Sequence, residues 1–469
     1  MKGSQMSLTE KVYFSLPIFL QNIAVSFMGI KLKKERYTTY SSEFLRYLKK
    51  KEYVDVESIK KIQSEMFNET VQAAVTQTKF YKAWLIDSKH GNEMDWSLDD
   101  IHKFPIIEKS TAKLRQADFL NQYEVENSRI INLHTSGTTG TPLKVSTNKK
   151  YRSAHYAFFT RLRQSVGLSR LPRRVTLFGR IIMLADENKP PFWRYDRAQK
   201  NLLFSSYHLN EKNLVNYVKK IQTFKPEEIF SYPSSLFVIS EYMNKRDITL
   251  DGVKLIMTTA EKLQAGQRKS IEKAFNSKVT NQYGCTEMSF FAAECEYGIL
   301  HSHPEHGHIE VLKEDGTISD EGTGELIATG FINRVMPIIR YKVGDRVTLK
   351  GAEKCKCGRS YPSIVEVEGR VDDVLMKKDG TPVGRLDPVF KGDFAILAAS
   401  IIQHESSDVE VQLIPTESFS EKDKLTLIKE LEKRFGVDIS VSVNLVKVLP
   451  KMPNGKHKAV IGNYKKAVK

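Results

Sequence analysis

Two groups of residues have the types and the spacing to do chemistry. The first is Thr135, Ser136, Gly137, Thr138, Thr139 and Gly140, reading TSGTTG. Its two glycines let backbone N–H groups come close to a ligand, and its hydroxyls add further donors. That combination suits a polyphosphate. The GxxxxGK[ST] pattern is absent, so this is not a Walker A loop, and Ser/Thr/Gly loops also serve as plain turns. The second group is Cys295 and His301 in AECEYGILH with Cys355 and Cys357 in EKCKCGRS. Three thiols and one imidazole suit tetrahedral Zn²⁺. His303, His306 and His308 compete for the histidine place, and two unrelated thiol pairs are the plainer alternative.

Such residues need elements to hold them. Residues 37–130 read as helical and polar-amphipathic. At Ile130 the pattern changes: RIINLHTSGTTGTPLKVSTN sets the hydroxyl loop between two short strands. The runs RVTLFGRIIML, EEIFSYP and VKLIMTTA read as further strands, with helices near Asn213–Thr223 and Ala265–Ala274 between them. Strands alternating with helices imply an α/β fold in layers, with mostly parallel sheet.

Past Gly369 the composition shifts. Asp379-Gly380 is a turn signal between two short strands, and VEVQLIP is a strand. Ser420 can cap a helix whose apolar face carries Leu425, Ile428, Leu431 and Phe435, with Gly436 ending it. Val437, Ile439, Val441, Val443 and Leu445 then alternate as a half-buried strand. The expected division is a large domain over 1–369 and a small α+β domain over 370–469.

The 469 residues exceed what one core usually serves. Hydrophobic residues make up 41% and charged residues 27%, a globular balance that excludes a disordered chain. The formal charge is +16. No nucleic-acid signature or long basic run accompanies it, so the charge suits small anions or an anionic membrane face better than nucleic acid. Four cysteines are too few for a disulfide scaffold in this length and point to a reducing cytoplasm. Residues 12–30 carry no charge, and Pro17, Gln21 and Asn22 interrupt them. A helix buried against the body is the first reading. A surface-lying membrane contact, helped by the basic cluster from Lys31 to Arg36, is the second, and a true span the third.

TSGTTGTP resembles the signature loop of the acyl-adenylate-forming superfamily, which includes acyl-CoA synthetases, luciferases and peptide-synthetase adenylation domains. Many members carry lysine directly after the proline. Here that place is Leu143, with Lys144 one residue later. Further motifs follow in family order over about residues 130–458. NQYGCTE resembles the Tyr-Gly-x-Thr-Glu motif. By that resemblance Tyr283 stacks on adenine beside Gly284, Thr286 contacts the α-phosphate, and Glu287 holds Mg²⁺. TTAEKL, with Ala260 and Glu261, resembles adenine's other wall. RYKVGD resembles the motif whose aspartate, here Asp345, binds the ribose hydroxyls. GRVDD resembles the hinge, with Arg370 near the nucleotide and Asp372 as pivot. PKMPNGK resembles the loop carrying the catalytic lysine, Lys456.

The resemblance implies an ATP-dependent ligase that joins a carboxylic acid to AMP and then passes the acyl group to an acceptor. CoA, or an amine on a sugar or its precursor, are the acceptors it allows. It also implies a small domain that rotates between the two steps. The rival is a nucleotide-binding protein of the same fold that no longer turns over; intact Glu287, Asp345 and Lys456 favour the enzyme. The Cys/His set is similar to a pattern in the phenylacetate-CoA ligase branch and its capsular polysaccharide biosynthesis (CapK-like) relatives, which implies a structural zinc. LPxxLQN in the N-terminal segment, DDVLMKKDGTPVGRLDPVFKG and PNGKHK resemble the capsular branch most closely. Phe204, Tyr207, His208 and Tyr232 stand where the family's acid pocket is expected; a role as core aromatics is the equal alternative.

Overall fold

The computed structural model describes residues 8–88, 95–135, 143–184, 187, 189–370, 375–376, 382–383, 395–405, 408–435, 439–450 and 460–462. The chain divides into two compact units. One comprises Met1–Lys33, Val166–Val279 and Asp372–Lys469; the other comprises Lys34–Ser165 and Thr280–Val371.

The first unit carries the parallel sheet that the sequence pattern predicts. Strand Arg174–Phe178 pairs in parallel with Asn201–Ser205 on one side and with Glu228–Ser231 on the other. Glu228–Ser231 pairs in parallel with Leu255–Thr259, and Trp193–Asp196 closes the far edge antiparallel to Asn201–Ser205. Val175, Leu177, Ile229 and Ile256 are fully buried, as strands covered on both faces require. Helices Glu211–Phe224, Pro233–Asn244 and Ala265–Phe275 contribute Leu214, Val218, Leu236, Ile239, Ile271 and Phe275 to the same core. The run RVTLFGRIIML is shorter as a strand than its apolar length suggests. It ends at Phe178, where Arg180 N–H turns back onto the Phe178 carbonyl at 2.7 Å.

The C-terminal part of this unit is the expected α+β assembly. Its sheet runs in the order Val441–Leu445, Val409–Pro415, Ile396–Gln403, Val460–Gly462. Leu375–Met376 and Pro382–Val383 pair antiparallel as predicted, while the Asp379-Gly380 turn lies outside the described residues. Ser420 caps helix Glu421–Phe435: its hydroxyl accepts from Asp423 N–H at 3.3 Å and donates to the Asp423 carboxylate at 2.8 Å. The buried stripe is Leu427, Leu431 and Phe435, four residues apart, whereas Leu425 is 51% exposed. The Gln264 side chain bonds both the N–H and the carbonyl of Ala399, tying this sheet to the helix start at Ala265.

The uncharged segment near the N-terminus is not one buried helix. Pro17 separates Leu8–Ser15 from Ile18–Arg36, as a ring that cannot donate a backbone bond should. Val12, Phe19, Ile23, Phe27 and Ile30 are exposed. Among the described residues no helix is long and apolar enough to cross a membrane.

The second unit begins with the predicted helices. Thr38, Asp55, Thr78 and Asn121 cap Thr39–Lys50, Val56–Gln77, Lys79–Asp87 and Gln122–Asn127 through their side chains. Its main sheet is antiparallel, in the order Ile318–Ser319, Gly307–Leu312, Gly322–Gly330, Tyr341–Lys350, Ser363–Arg370, Leu300–Ser302, Phe291–Glu294, Val279–Gly284. This antiparallel stretch departs from the mostly parallel expectation. A separate hairpin, Ile130–His134 with Lys144–Asn148, leads into and out of the hydroxyl loop.

Candidate functional site

Strand Val279–Gly284 ends in a turn in which Met288 N–H bonds the Cys285 carbonyl at 3.2 Å. Thr286 and Glu287 occupy the two central positions of that turn. The turn rests on two glycines, Gly307 and Gly330, which face each other across neighbouring strands. A Cβ on Gly307 would lie 2.1 Å from the Ser289 carbonyl oxygen, and one on Gly330 would lie 2.8 Å from Ser289 Cα. No side chain fits at either position without moving the turn.

Two tyrosines position the turn's neighbours. Tyr341 is fully buried and donates to Glu287 Oε1 at 2.9 Å. Glu287 is itself 7% exposed, and among the described residues none bonds its second oxygen. Tyr283 donates to Asp345 Oδ2 at 2.6 Å, and Phe290 meets the Tyr283 ring edge-on at 4.9 Å. Asp345 and Arg370 are opposite each other in the antiparallel register. Tyr341 and Asp345, four residues apart on one strand, thus hold both ends of the Tyr283–Glu287 segment.

That strand is anchored in turn. Arg340 has a left-handed backbone, φ 54°, which costs energy in a residue with a Cβ. Its guanidinium makes two bonds to the Glu310 carboxylate, at 3.2 and 3.0 Å, and others to the carbonyls of His102 and Phe104. Ile107 pairs beside Tyr341, and the Tyr81 hydroxyl accepts from Ile339 N–H at 2.9 Å. The N-terminal helices therefore support the site from behind. Cys285 Sγ lies 3.0 Å from Ser289 Oγ. Burial, helped by the Glu287 charge, pushes its thiol up to about 12, which disfavours the thiolate.

The hydroxyl loop is described only at its base. Thr135 N–H donates to the Leu143 carbonyl and Leu143 N–H donates to Thr135 Oγ1, both at 3.0 Å. Leu143 is buried, which suits an apolar residue there, and Lys144 begins the next strand exposed. Ser136, Gly137, Thr138, Thr139 and Gly140 lie outside the described residues, as do Asp372 and Lys456. In the first unit Ala260 is exposed with φ 69° just after Leu255–Thr259. The Glu261 carboxylate accepts from Ser234 N–H and Oγ, each at 3.1 Å, in the first turn of helix Pro233–Asn244. A carboxylate there complements the helix dipole. Phe204 and His208 belong to the core: His208 Nδ1 meets Ser205 Oγ at 2.7 Å. Tyr207 and Tyr232 keep part of their surface accessible, and Tyr232 packs on Phe178 with ring centroids 5.0 Å apart.

The second cluster is Cys295, His301, Cys355 and Cys357, whose ligand atoms all lie within 4.8 Å of one another. Cys357 Sγ is 3.5 Å from His301 Nε2. A tetrahedron with metal bonds of about 2.0–2.3 Å needs ligand separations of roughly 3.5–3.8 Å, so the set fits Zn²⁺ after small adjustment. Two matching knuckles supply it. Cys295 N–H bonds the Ile299 carbonyl and Gly298 N–H the Cys295 carbonyl, both at 2.9 Å. Cys355 N–H bonds the Arg359 carbonyl at 2.8 Å and Gly358 N–H the Cys355 carbonyl at 2.9 Å. Both glycines have positive φ. The repeat was legible as Cys-x-x-Gly, once in CEYG and once in CKCG.

His303, His306 and His308 do not join the cluster. His303 approaches Arg161 in a buried group where Arg161 bonds Glu305 at 2.7 Å and Tyr361 donates to Glu305 at 3.1 Å. His306 Nε2 meets His155 Nδ1 at 2.9 Å, and His308 faces Asp320.

A family profile described as CapK C-terminal domain matches residues 375–463. Protein CapK of Staphylococcus aureus is 27% identical over 97% of this chain and 99% of its own length. Phenylacetate-coenzyme A ligase of Thermus thermophilus is 25% identical over 68% of this chain and 72% of its own. The solved structure of 2-hydroxyisobutyryl-CoA ligase in the postadenylation state, in complex with R3-HIB-AMP, aligns with TM-score 0.66 at 17% identity. That alignment covers 89% of this chain and 91% of that one.

Proposed function

The chain belongs to the acyl-adenylate-forming superfamily, in its phenylacetate-CoA ligase-like and CapK-like branch, and from that premise we propose that it activates a carboxylic acid with ATP and transfers the acyl group to an acceptor. The observation that carries this reading is the pair of buried-to-site contacts, Tyr341 to Glu287 and Tyr283 to Asp345. They tie the carboxylate proposed for the cation and the pair proposed for the nucleoside to the strand Tyr341–Lys350.

In the first step a carboxylate oxygen of the acid attacks the α-phosphorus of ATP and pyrophosphate leaves. Two anions meet, so the step needs cations and N–H donors already in place. Glu287 offers its second oxygen to Mg²⁺, which supplies positive charge at the transferring phosphorus when bound. Thr286 and the N–H groups of residues 135–140 hold the phosphates. Tyr283 with Gly284 takes adenine and Asp345 the ribose hydroxyls; Ala260 and Glu261 are assigned to adenine on the resemblance of TTAEKL alone. Arg370, opposite Asp345 in the strand register, serves the nucleotide. Lys456 neutralises charge in this step, on the resemblance of PKMPNGK alone.

In the second step a thiol or amine attacks the acyl carbon and AMP leaves. Asp372 marks the hinge at the boundary of the 1–369 and 370–469 domains. CoA is one acceptor, as the phenylacetate-coenzyme A ligase relatives suggest. An amine on a sugar is the other, in keeping with a place in surface polysaccharide synthesis in the cytoplasm. Cys295, His301, Cys355 and Cys357 hold a structural Zn²⁺, with all four positions closed to substrate. Acid-dependent ATP–pyrophosphate exchange against a panel of carboxylates, without acceptor, tests the proposal. Exchange with one acid class supports it. Tight ATP binding with no exchange for any acid would indicate a binding protein instead.

A further inference from the structure

Helix Ile18–Arg36 has its polarity reversed. Its polar side chains face the protein. Gln21 Oε1 accepts from Arg194 Nε at 2.5 Å, Asn22 Oδ1 from Tyr195 N–H at 2.8 Å, and Ser26 Oγ from Arg197 N–H at 3.1 Å. Gly29 lies so close to the Asp196 carboxylate that a Cβ would come within 2.1 Å of it. These partners belong to or adjoin Trp193–Asp196, the edge strand of the parallel sheet. An open sheet edge needs hydrogen-bond partners, and this helix supplies them from its side chains.

The consequence is an apolar outer face. Phe19, Ile23, Phe27 and Ile30 recur at helical spacing, and Phe19 and Phe27 are 63% and 67% exposed. Met28 flanks them, and Val12 and Leu8 add exposed apolar surface on the preceding helix. Lys31 and Lys34 continue the stripe, with Lys33 beside them, all exposed. The nearby acid, Glu35, is half-buried and paired with Arg152 at 3.5 Å.

We propose that this helix docks the protein on an anionic bilayer surface, with Phe19, Ile23, Phe27 and Ile30 entering the headgroup boundary and Lys31, Lys33 and Lys34 meeting lipid phosphates. An amphipathic helix with aromatic and aliphatic residues on one face and lysines alongside has the composition for lying in that plane. The charge of the patch complements an anionic surface: Lys31, Lys33 and Lys34 are exposed beside it, against one exposed acid among its described residues, Glu10. The stripe from Phe19 to Ile30 is about 20 Å long and 10 Å wide. That footprint falls well short of the roughly 800 Å² per partner of a stable dimer.

The test is co-sedimentation of the full chain with phosphatidylcholine vesicles, with and without about 30% phosphatidylglycerol. Wild type binds the anionic vesicles and is released by salt. Phe19→Ser, Ile23→Ser and Phe27→Ser together lower binding by about tenfold or more, with melting temperature and pyrophosphate exchange unchanged. Lys31→Gln, Lys33→Gln and Lys34→Gln together remove the preference for anionic over neutral vesicles, about fivefold for each lysine. Failure of wild type to bind anionic vesicles, or equal binding by the serine variant, overturns the proposal. So does a dimer in sedimentation velocity that the serine variant dissolves without any vesicle binding.

Discussion

The parallel sheet of the first unit and the antiparallel sheet of the second bury different chemistry. In the parallel sheet the strand centres are aliphatic, filled by Val175, Leu177, Ile229 and Ile256, while Arg194 and Asp196 are buried in the edge strand. An ion pair between its strands, Arg174 with Glu228 at 3.7 Å, sits where those strands begin. The antiparallel sheet also buries aliphatic residues, Val311, Leu326, Ile327 and Val347 among them, but it and its supporting helix add buried charged and hydrogen-bonded groups. Arg161 with Glu305, Arg340 with Glu310, and His155 with His306 are all buried or nearly so, and Glu287 is buried beside Tyr341. Dispersion forces are forgiving of direction, so an aliphatic interior can be trimmed and still collapse. A buried charge fixes direction and distance, and it punishes loss of its partner. Tyr283, Glu287 and Asp345, three of the residues proposed for adenylation, stand on the second kind of foundation.

The comparison breaks most visibly at Glu305. Glu305→Ala leaves the Arg161 guanidinium buried without its carboxylate and should cost about 3–5 kcal/mol in denaturant unfolding. Ile256→Val, its counterpart in the aliphatic sheet, should cost about 1 kcal/mol. Comparable losses for the two would dissolve the distinction between the regions.

The metal cluster sharpens the same point. Purified protein should contain about one zinc per chain, and Cys355→Ser with Cys357→Ser should lose it. A metal held at a thousand times its dissociation constant stabilises the folded state by about 4 kcal/mol, so chelation should lower the melting temperature. Zinc retained in the double serine variant, or absent from wild type purified without chelator, contradicts the site.

A smaller effect tests the buried histidines. Burial, reinforced by the positive charges of Arg152 and Arg36, brings His155 down to about 4. An imidazole depressed in the folded state contributes stability that is present above its unfolded value near 6.5 and lost as pH falls toward 4. The loss should reach about 3 kcal/mol at the acid end of that window. His155→Phe should flatten the pH dependence of unfolding between those values by about one proton. An unchanged slope would mean that His155 is accessible to protons in the folded state.

Much of this architecture was written in local pattern. VEVQLIP forms its strand over Val409–Pro415, Ser420 caps its helix, and the Cys-x-x-Gly knuckles shape the loops that carry three of the four residues chosen for zinc. These depend on neighbours within a few residues, which is why spacing reveals them. Tyr341 was not singled out, although it lies inside RYKVGD, because only the fold brings it against Glu287. Gly307 and Gly330 were invisible for the same reason: their value is the absence of a Cβ beneath a turn that sequence places some twenty or more residues away. The Leu425 stripe was misread because Leu425 and Leu427 both fit a helical apolar pattern, and only packing against the sheet selects Leu427. The segment 12–30 read as buried from its lack of charge. Its few polar residues went inward to serve a sheet edge instead.

The most direct test of the central claim is acid-dependent ATP–pyrophosphate exchange by wild type beside Glu287→Gln. The variant keeps the size of the side chain and an acceptor for Tyr341 but removes the charge. Wild type should exchange with at least one carboxylate class, and Glu287→Gln should lose about a hundredfold or more with its melting temperature held. Exchange by the variant at the wild-type rate, or no exchange by wild type with any acid while ATP still binds, would contradict the account.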